Sequence, residues 1–249
     1  MKVLLATLNK TGFVSINYMM SLMNSMRALA EKKIEFSLYF DVGKSGVDLP
    51  RSQAASYFLA SDCTHMMFLD DDTAWQPELI SRLMSFDLDI VGVPYRQKTV
   101  ERGFNMRIET GKDFERMKEE PTLFGVHDIA TGLLLIKKNV FETLKDKVEW
   151  VLGQQSSDKI GMFFRHAVVD DLIANPGGEK AYMSEDFFFC RLARDNGFKI
   201  WAYIDAETAH VGTISFTGNY ANIAEAQNRG PCRDVVPKSQ LRLMGAIEG

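Results

Sequence analysis

The order of apolar runs in the first 93 residues constrains the fold more than any other feature of this sequence. Short runs typical of buried strands alternate with longer runs that carry apolar residues at helical spacing. The strand-like runs cover residues 2–8, 35–40, 66–69 and 90–93, and the helix-like runs cover residues 15–32, 50–61 and 77–85. This alternation predicts an α/β fold with a mostly parallel central sheet flanked by helices.

The alternation is less regular after residue 95. We predict strands at residues 105–108, 132–136 and 198–204, helices at 139–144 and 184–196, and a loop at 153–161. The segment 96–118 carries seven basic residues: Arg96, Lys98, Arg102, Arg107, Lys112, Arg116 and Lys118. Such a run is usually a solvated face, but it could also meet a phosphate-bearing partner.

Composition limits the classes of function. A chain of 249 residues with 46% hydrophobic content can bury the core of a single domain. Its net charge of -4 argues weakly against broad, sequence-independent binding of nucleic acid, but it is compatible with a local basic patch. Three cysteines without a CxxC pair favour reduced thiols and a cytoplasmic protein. We expect no transmembrane segment, because no stretch reaches about 18 consecutive apolar residues.

Three consecutive aspartates, Asp70, Asp71 and Asp72, follow the strand predicted at residues 66–69. Adjacent carboxylates repel one another unless a cation or solvent offsets their charge, and open α/β sheets bind ligands outside the carboxyl ends of their strands. Side chains alternate along an extended backbone, which predicts Asp70 and Asp72 on the same side. Two such carboxylates suit Mg²⁺ or Mn²⁺ with substrate phosphates completing the shell. An acidic loop that caps the next helix explains the same residues without any ligand.

Two later segments carry further candidates. Ser184, Glu185 and Asp186 open an otherwise apolar helix, a pattern typical of N-capping and of acids near a helix N-terminus. The functional interpretation is that Asp186 or Glu185 acts as a general base. His210 follows the last predicted strand, so it would leave the same sheet as Asp72. A lone histidine is more often structural, but a neutral imidazole beside a carboxylate is a good ligand for Mn²⁺.

Taken in order, these segments resemble the GT-A fold of nucleotide-sugar-dependent glycosyltransferases of the family 2 type. The matching segments are the Asp-x-Asp motif at 70–72, the glycine-bearing strand at 130–136, the acidic helix start at 184–186, and His210. The resemblance implies a Rossmann-like catalytic domain over residues 1–213, with a nucleotide-binding half at 1–95 and an acceptor-binding half at 96–213. Residues 214–249 match no element of the family and form a C-terminal extension.

The resemblance also implies a role for each matched residue. The donor would be a UDP- or GDP-linked sugar, and its diphosphate would be held by Mn²⁺ or Mg²⁺. The implied metal ligands are Asp72, Asp70 and His210. The implied nucleotide contacts are Thr7, Arg51, Asp70 and Asp71, and the implied lining of the donor-sugar pocket is Ala130, Thr131 and Gly132. Asp186 would be the base of an inverting reaction, with Glu185 as the neighbouring acid.

Other classes share parts of this pattern. A phosphatase of the haloacid dehalogenase type carries its Asp-x-Asp motif after the first strand, whereas here the motif follows the third. A sugar nucleotidyltransferase would need a glycine-rich loop after the first strand, and residues 8–12 are poor in glycine. A dinucleotide oxidoreductase would need GxGxxG in the first turn. A phosphotransferase or nucleotidyltransferase and a non-catalytic nucleotide-sugar-binding module remain the alternatives. The sequence does not identify the acceptor, which could be a glycan, a lipid, a protein side chain or a nucleobase.

Overall fold

The computed structural model describes residues 1–44, 46–98, 103–108, 117–153, 157–170, 180–212, 215–218 and 220–221. Five helices lie in this part of the chain: α1 (Ile16–Glu31), α2 (Asp48–Ala60), α3 (Leu79–Ser85), α4 (Lys138–Leu144) and α5 (Glu185–Asp195). The strands are β1 (Lys2–Asn9), β2 (Glu35–Val42), β3 (His65–Asp70), β4 (Thr73–Trp75), β5 (Ile90–Gly92), β6 (Met106–Arg107), β7 (Leu123–Val126), β8 (Asp128–Ile129), β9 (Leu133–Lys137), β10 (Trp150–Leu152), β11 (Lys159–Gly161), β12 (Ala167–Val169), β13 (Ala181–Met183), β14 (Ile200–Tyr203), β15 (Thr208–Val211) and β16 (Ser215–Gly218).

The central sheet has seven strands in the order β2-β1-β3-β9-β5-β14-β7. Strands β2, β1, β3, β5 and β14 run in one direction, while β9 and β7 run in the other. The predicted α/β class with a mostly parallel sheet flanked by helices is therefore confirmed. The antiparallel strand β9 lies between β3 and β5, which places the start of β9 beside the end of β3.

Helices cover both faces of the sheet, and this explains why its inner strands β1, β3 and β9 are largely apolar. Leu4 of β1 packs on one face in a core that includes Phe58 of α2. Leu5 packs on the opposite face in a core that includes Leu22 of α1. Burying each such side chain stabilises the fold by about 1.5–3 kcal/mol. The runs predicted as buried strands in the first half are thus explained by burial on two sides.

The residues at the ends of α1 and α5 differ in how they cap these helices. The Ser15 hydroxyl accepts a hydrogen bond from the Tyr18 backbone N–H at 3.1 Å and so caps α1. Ser184 occupies the N-cap position of α5, but its hydroxyl donates to the Asp186 carboxylate instead of accepting from the backbone. Gly197, just past the end of α5, has a φ of 89°, the left-handed conformation that glycine adopts most readily.

Several short strands differ from the prediction. The loop predicted at 153–161 includes β11, which pairs with β10 in an antiparallel hairpin. Strand β6 confirms the short strand predicted near residues 105–108, and it pairs with β8. His210 lies inside β15 and not after the last strand, because a further small sheet, β16-β15-β4, follows β14.

The described part of the predicted extension at 214–249 packs on the domain. Strand β16 pairs with β15, and the Tyr220 side chain is buried with its ring 4.9 Å from that of Phe104. The chain therefore contributes to the core beyond the boundary predicted at residue 213. The remainder of that extension lies outside the described residues. No helix in the described ranges is both long enough and apolar enough to cross a membrane.

Candidate functional site

The acidic turn and His210 are brought together by strand pairing. Strand β3 ends at Asp70, the chain turns at Asp71 and Asp72, and β4 begins at Thr73. Strand β15 pairs antiparallel with β4 so that His210 lies opposite Thr73. The His210 Nε2 atom is consequently 3.4 Å from Asp72 Oδ1. The predicted convergence of His210 on the acidic strand end is observed, although a turn, and not an extended backbone, separates Asp70 from Asp72.

The His210 ring is held in one orientation by its other nitrogen. Nδ1 lies 2.8 Å from the Arg96 carbonyl oxygen, which can only accept, so Nδ1 carries a proton and donates it. Nε2 faces Asp72 Oδ1: when protonated it donates to that carboxylate, and in the neutral ring its lone pair can bind a cation instead. The ring also packs edge-on against Tyr95, with 5.0 Å between centroids. This arrangement of a tethered imidazole beside a carboxylate is typical of metal-ligating histidines.

Asp72 stays ionised over a wide pH range. Burial alone would raise its pKa, but hydrogen bonds with His210 and with the Lys98 ammonium outweigh burial and lower it. The Lys98 ammonium forms an ion pair with Asp72 Oδ2, on the oxygen that does not face the imidazole. His210 and Lys98 therefore both stabilise the ionised form of Asp72.

Asp71 differs from Asp72 in its electrostatics. Its Oδ2 accepts a hydrogen bond of 2.6 Å from the Asn9 side-chain amide. Burial and the negative charges of Asp72 and Asp70 raise its pKa from 3.8 to about 6, with Lys98 opposing the rise. The acidic turn thus holds one carboxylate that is ionised easily and one that gains its charge only near neutral pH.

Asp70 belongs to a second, buried network. Its Oδ1 is 3.3 Å from Arg51 Nη2, and its Oδ2 accepts a hydrogen bond of 3.1 Å from the Tyr95 hydroxyl. The other end of the Arg51 guanidinium forms an ion pair with Glu185. Burial would lower the pKa of Arg51, but Asp70, Glu185 and Asp186 together raise it. This guanidinium therefore links the acidic turn to the acidic start of α5.

Gly132 is packed directly against this network. Asp70 N–H donates to the Gly132 carbonyl at 3.0 Å, at the point where β3 meets the start of β9. A Cβ at position 132 would overlap the Tyr95 hydroxyl and the Asp70 carboxylate. Only a residue without a side chain allows this close approach.

The turn lies at the floor of a cleft that encloses about 230 Å³. Three of the predicted nucleotide contacts, Arg51, Asp70 and Asp71, line it together with Asp72 and His210. The other lining residues are Leu8, Asn9, Lys10, Asp41, Lys44, Gly46, Val47, Pro50 and Tyr95. Lys10 and Lys44 offer positive charge on the wall that faces the acids.

Thr7 is placed differently from the prediction. Its side chain is only 1% exposed, and its hydroxyl is hydrogen-bonded to Tyr18 beneath the cleft floor. The wall is formed instead by the next three residues of the chain, Leu8, Asn9 and Lys10. Ala130, Thr131 and Gly132 are likewise not part of the lining, although Gly132 contacts two residues that are.

Glu185 and Asp186 have separate environments at the start of α5. Glu185 is buried, and burial raises its pKa despite the opposing charge of Arg51. His166 Nδ1 lies 3.8 Å from Glu185 Oε2. Asp186 Oδ1 accepts hydrogen bonds from the Phe187 backbone N–H at 2.8 Å and from Ser184. Glu185 therefore positions Arg51. Both hydrogen bonds to Asp186 use Oδ1, so they leave Oδ2 available.

Within the described ranges, no three His, Cys, Asp or Glu side chains lie close enough to hold a metal ion by themselves. At the acidic turn, Asp72 and His210 form a pair, with 3.4 Å between Oδ1 and Nε2. Asp70 faces Arg51 and Tyr95 instead. A cation at this turn would therefore take most of its ligands from substrate and water.

Comparisons with known proteins yield only distant similarities. No protein-family model matches the sequence, and no curated protein is similar to it. Among solved structures, the chain is similar to a fragment of S. aureus TarS (residues 1–349) with a TM-score of 0.42 and 13% identity, over 81% of this chain and 58% of that one. This chain thus spans little more than half of the TarS fragment.

Two further solved structures are similar over parts of the fold. A glycosyltransferase involved in glycosylation of the major capsid of PBCV-1 has a TM-score of 0.29 and 14% identity, over 56% of this chain and 62% of that one. The inositol-1-phosphate CTP transferase of T. maritima has a TM-score of 0.36 and 13% identity, over 81% and 89% of the two chains. At these identities and TM-scores, the similarity concerns parts of the fold and does not extend to function.

Proposed function

We propose that this chain is a divalent-cation-dependent glycosyltransferase that takes a sugar from a nucleoside diphosphate donor. The observation that supports this most directly is the pair formed by Asp72 Oδ1 and His210 Nε2, 3.4 Å apart at the floor of the cleft. The Arg96 carbonyl holds the imidazole in the tautomer that a cation requires. The GT-A resemblance of the sequence assigns these same two residues to metal binding.

The distance between the two donor atoms fits a small divalent cation. The two atoms are 3.4 Å apart, so both could hold one cation. The oxygen-plus-imidazole donor set suits Mn²⁺ somewhat better than Mg²⁺. Lys98 pairs with the other Asp72 oxygen, Oδ2, so a cation would not have to displace it.

The cleft offers the remaining contacts of a nucleotide. Lys10 and Lys44 provide positive charge for phosphate, with Lys44 also paired to Asp41 at 2.6 Å. The Asp70 carboxylate is fixed by Arg51 and Tyr95, so it is oriented to accept a hydrogen bond from a ribose hydroxyl. We assign Asp70 to the ribose and Asp72 to the cation.

The reaction transfers the anomeric carbon of the sugar from the diphosphate oxygen to an acceptor oxygen. A cation supplies charge stabilisation to the diphosphate as the bond to the sugar breaks. Asp186 takes the proton of the acceptor hydroxyl while the new bond forms on the opposite face, which inverts the anomeric centre. Nucleoside diphosphate is the second product, so atoms and charges balance.

The first test is calorimetric titration of UDP and of GDP into the protein, with Mn²⁺ and with EDTA. We expect binding that requires Mn²⁺ and that Asp72→Asn and His210→Ala each weaken by about tenfold or more. Asp146→Asn, in an exposed turn after α4, is the matched control and should bind as the wild type does. Equal binding in EDTA would refute the role of the cation.

Product analysis separates the proposal from the nucleotidyltransferase alternative. Slow hydrolysis of a UDP- or GDP-sugar releases nucleoside diphosphate and free sugar and needs no acceptor. A nucleotidyltransferase would instead form pyrophosphate from a nucleoside triphosphate and a sugar phosphate. Chromatography of both reaction mixtures identifies the nucleotide product directly.

A further inference from the structure

The flank formed by α1 and β2 exposes an unusual amount of apolar surface. Half of the large hydrophobic side chains that are exposed among the described residues lie here. They are Phe13, Ile16, Met19, Met20, Met23, Leu38, Phe40 and Val42, and we call this surface the α1–β2 face. Phe13 and Ile16 are 82% and 77% exposed. Contiguous apolar surface of this size usually marks an interaction site.

The residues of the α1–β2 face lie on one side of the sheet. Leu38 pairs with Leu5 and Phe40 pairs with Thr7, and residues paired in a parallel ladder point to the same face. That face is the one covered by α1, because the Thr7 hydroxyl bonds Tyr18 of α1. The exposed residues of α1 follow i, i+3, i+4 and i+7 spacing, so they form one stripe.

The directions of α1 and β2 show which residues of the α1–β2 face lie at the same end. Helix α1 runs back along β1, so its first turn lies near the end of β2. A Cβ on Gly12 would lie 3.9 Å from Val42 Cγ1, which shows that the loop carrying Phe13 reaches that end. Phe13 and Val42 therefore lie at one end of the α1–β2 face.

Strand β2 is also an edge strand. It is the first strand in the order of the central sheet, and within the described ranges only β1 pairs with it. Its outer edge can therefore accept another strand. Proteins usually block such edges with Lys, Pro or a bulge, and the sequence of β2, EFSLYFDV, has neither Lys nor Pro.

We propose that the α1–β2 face binds a second copy of this chain, with β2 pairing antiparallel to β2 across a two-fold axis perpendicular to the sheet. Such an axis keeps the α1 side of both copies on the same face, so Leu38, Phe40 and Val42 of the two chains adjoin one another across the seam. The contact is self-complementary, as a two-fold interface must be. From their exposed fractions, the eight residues together expose roughly 800 Å², an area comparable to what each partner buries in an interface of standard size.

Sedimentation velocity of the full chain at about 1–100 µM tests the proposal. We expect a species of twice the 28.1 kDa chain mass. Phe40→Glu and Met23→Glu should each weaken the dimer by about tenfold or more, because each places two charges in the apolar seam. Leu152→Glu, at another exposed apolar position on β10, is the matched control and should leave the mass unchanged. Circular dichroism verifies that each variant is folded.

Cysteine scanning over residues 36–42 gives a second measurement. Antiparallel two-fold pairing brings a residue near the axis opposite its own copy, so oxidation should link dimers at only one or two adjacent positions. A monomer throughout the concentration range overturns the proposal, and so does a dimer that resists both glutamate variants. Binding of the monomer to vesicles of neutral and anionic phospholipid, abolished by Phe40→Glu, would assign the face to a membrane instead. None of these outcomes depends on the proposed enzymatic activity.

Discussion

Replacing Asp71 by asparagine should make the protein more stable at neutral pH and leave its stability unchanged in acid. In the fold, burial and the charges of Asp72 and Asp70 raise the pKa of Asp71 from 3.8 to about 6. Between these two pH values the folded state keeps a proton that the unfolded chain releases. The free energy of unfolding therefore falls as pH rises from about 4 to 6, and it stays lower above pH 6.

The magnitude follows from the size of this pKa change. A rise of about two in pKa corresponds to about 3 kcal/mol for complete ionisation. The Asp71 side chain is partly exposed, and solvent screening reduces this figure to about 1–2 kcal/mol. An asparagine at this position is neutral at every pH, and its carbonyl oxygen can still accept the hydrogen bond from Asn9.

The assay is urea unfolding of the wild type and Asp71→Asn at several values between pH 4 and 8, with EDTA present. The difference in unfolding free energy between the two proteins should grow from near zero at pH 4 to about 1–2 kcal/mol above pH 6.5. Asp146→Asn should show no such pH-dependent difference. A variant that is less stable than the wild type at pH 7.5 would refute the electrostatic reasoning about the acidic turn.

Three further predictions concern the buried parts of the site and core. Gly132→Ala should lower the unfolding free energy by about 1–3 kcal/mol in denaturant titrations, because its Cβ would displace Tyr95 and Asp70; unchanged stability would contradict the close packing. Asp186→Asn should bind UDP or GDP within about twofold of the wild type but lose about 10²–10⁴-fold in transfer rate, and surviving transfer would exclude it as the base. Cys190 should resist iodoacetamide at pH 8 in the native protein and react in guanidinium, as peptide mass spectrometry would show. Burial raises the pKa of its thiol, and its Sγ contacts the Ile129 carbonyl at 3.4 Å.

Sequence reasoning located the central sheet well because its strands are buried on two sides. Runs such as 3–6 and 66–69 are apolar at every position, and this signal can be recognised without knowledge of the tertiary structure. The short strands β10, β12 and β15 carry no comparable signal. Residues Trp150–Leu152 of β10, for example, are all exposed, so their pairing depends on the partner strand and not on burial.

The candidate site was predictable to the extent that it follows from the carboxyl edge of the sheet. Ligands bind at the carboxyl ends of strands in open α/β sheets, and this rule, with the order of the motifs, predicts that Asp72 and His210 lie together. The ion pair between Arg51 and Glu185 joins residues 134 positions apart, and nothing local in either segment encodes it. The burial of Thr7 could have been inferred, since alternation along β1 turns its side chain toward α1. Lys98 carried a signal only as one member of a basic run.

The pairing of β4 with β15 has a consequence for how the molecule is made. The Arg96 carbonyl that orients the imidazole lies 114 residues before His210. During synthesis the acidic turn therefore leaves the ribosome long before the partner strand that completes the centre. Contacts of such long range form late and slowly in folding. A nascent chain carries its acidic turn without the imidazole, so the proposed cation site is complete only once β15 has been translated and has paired with β4.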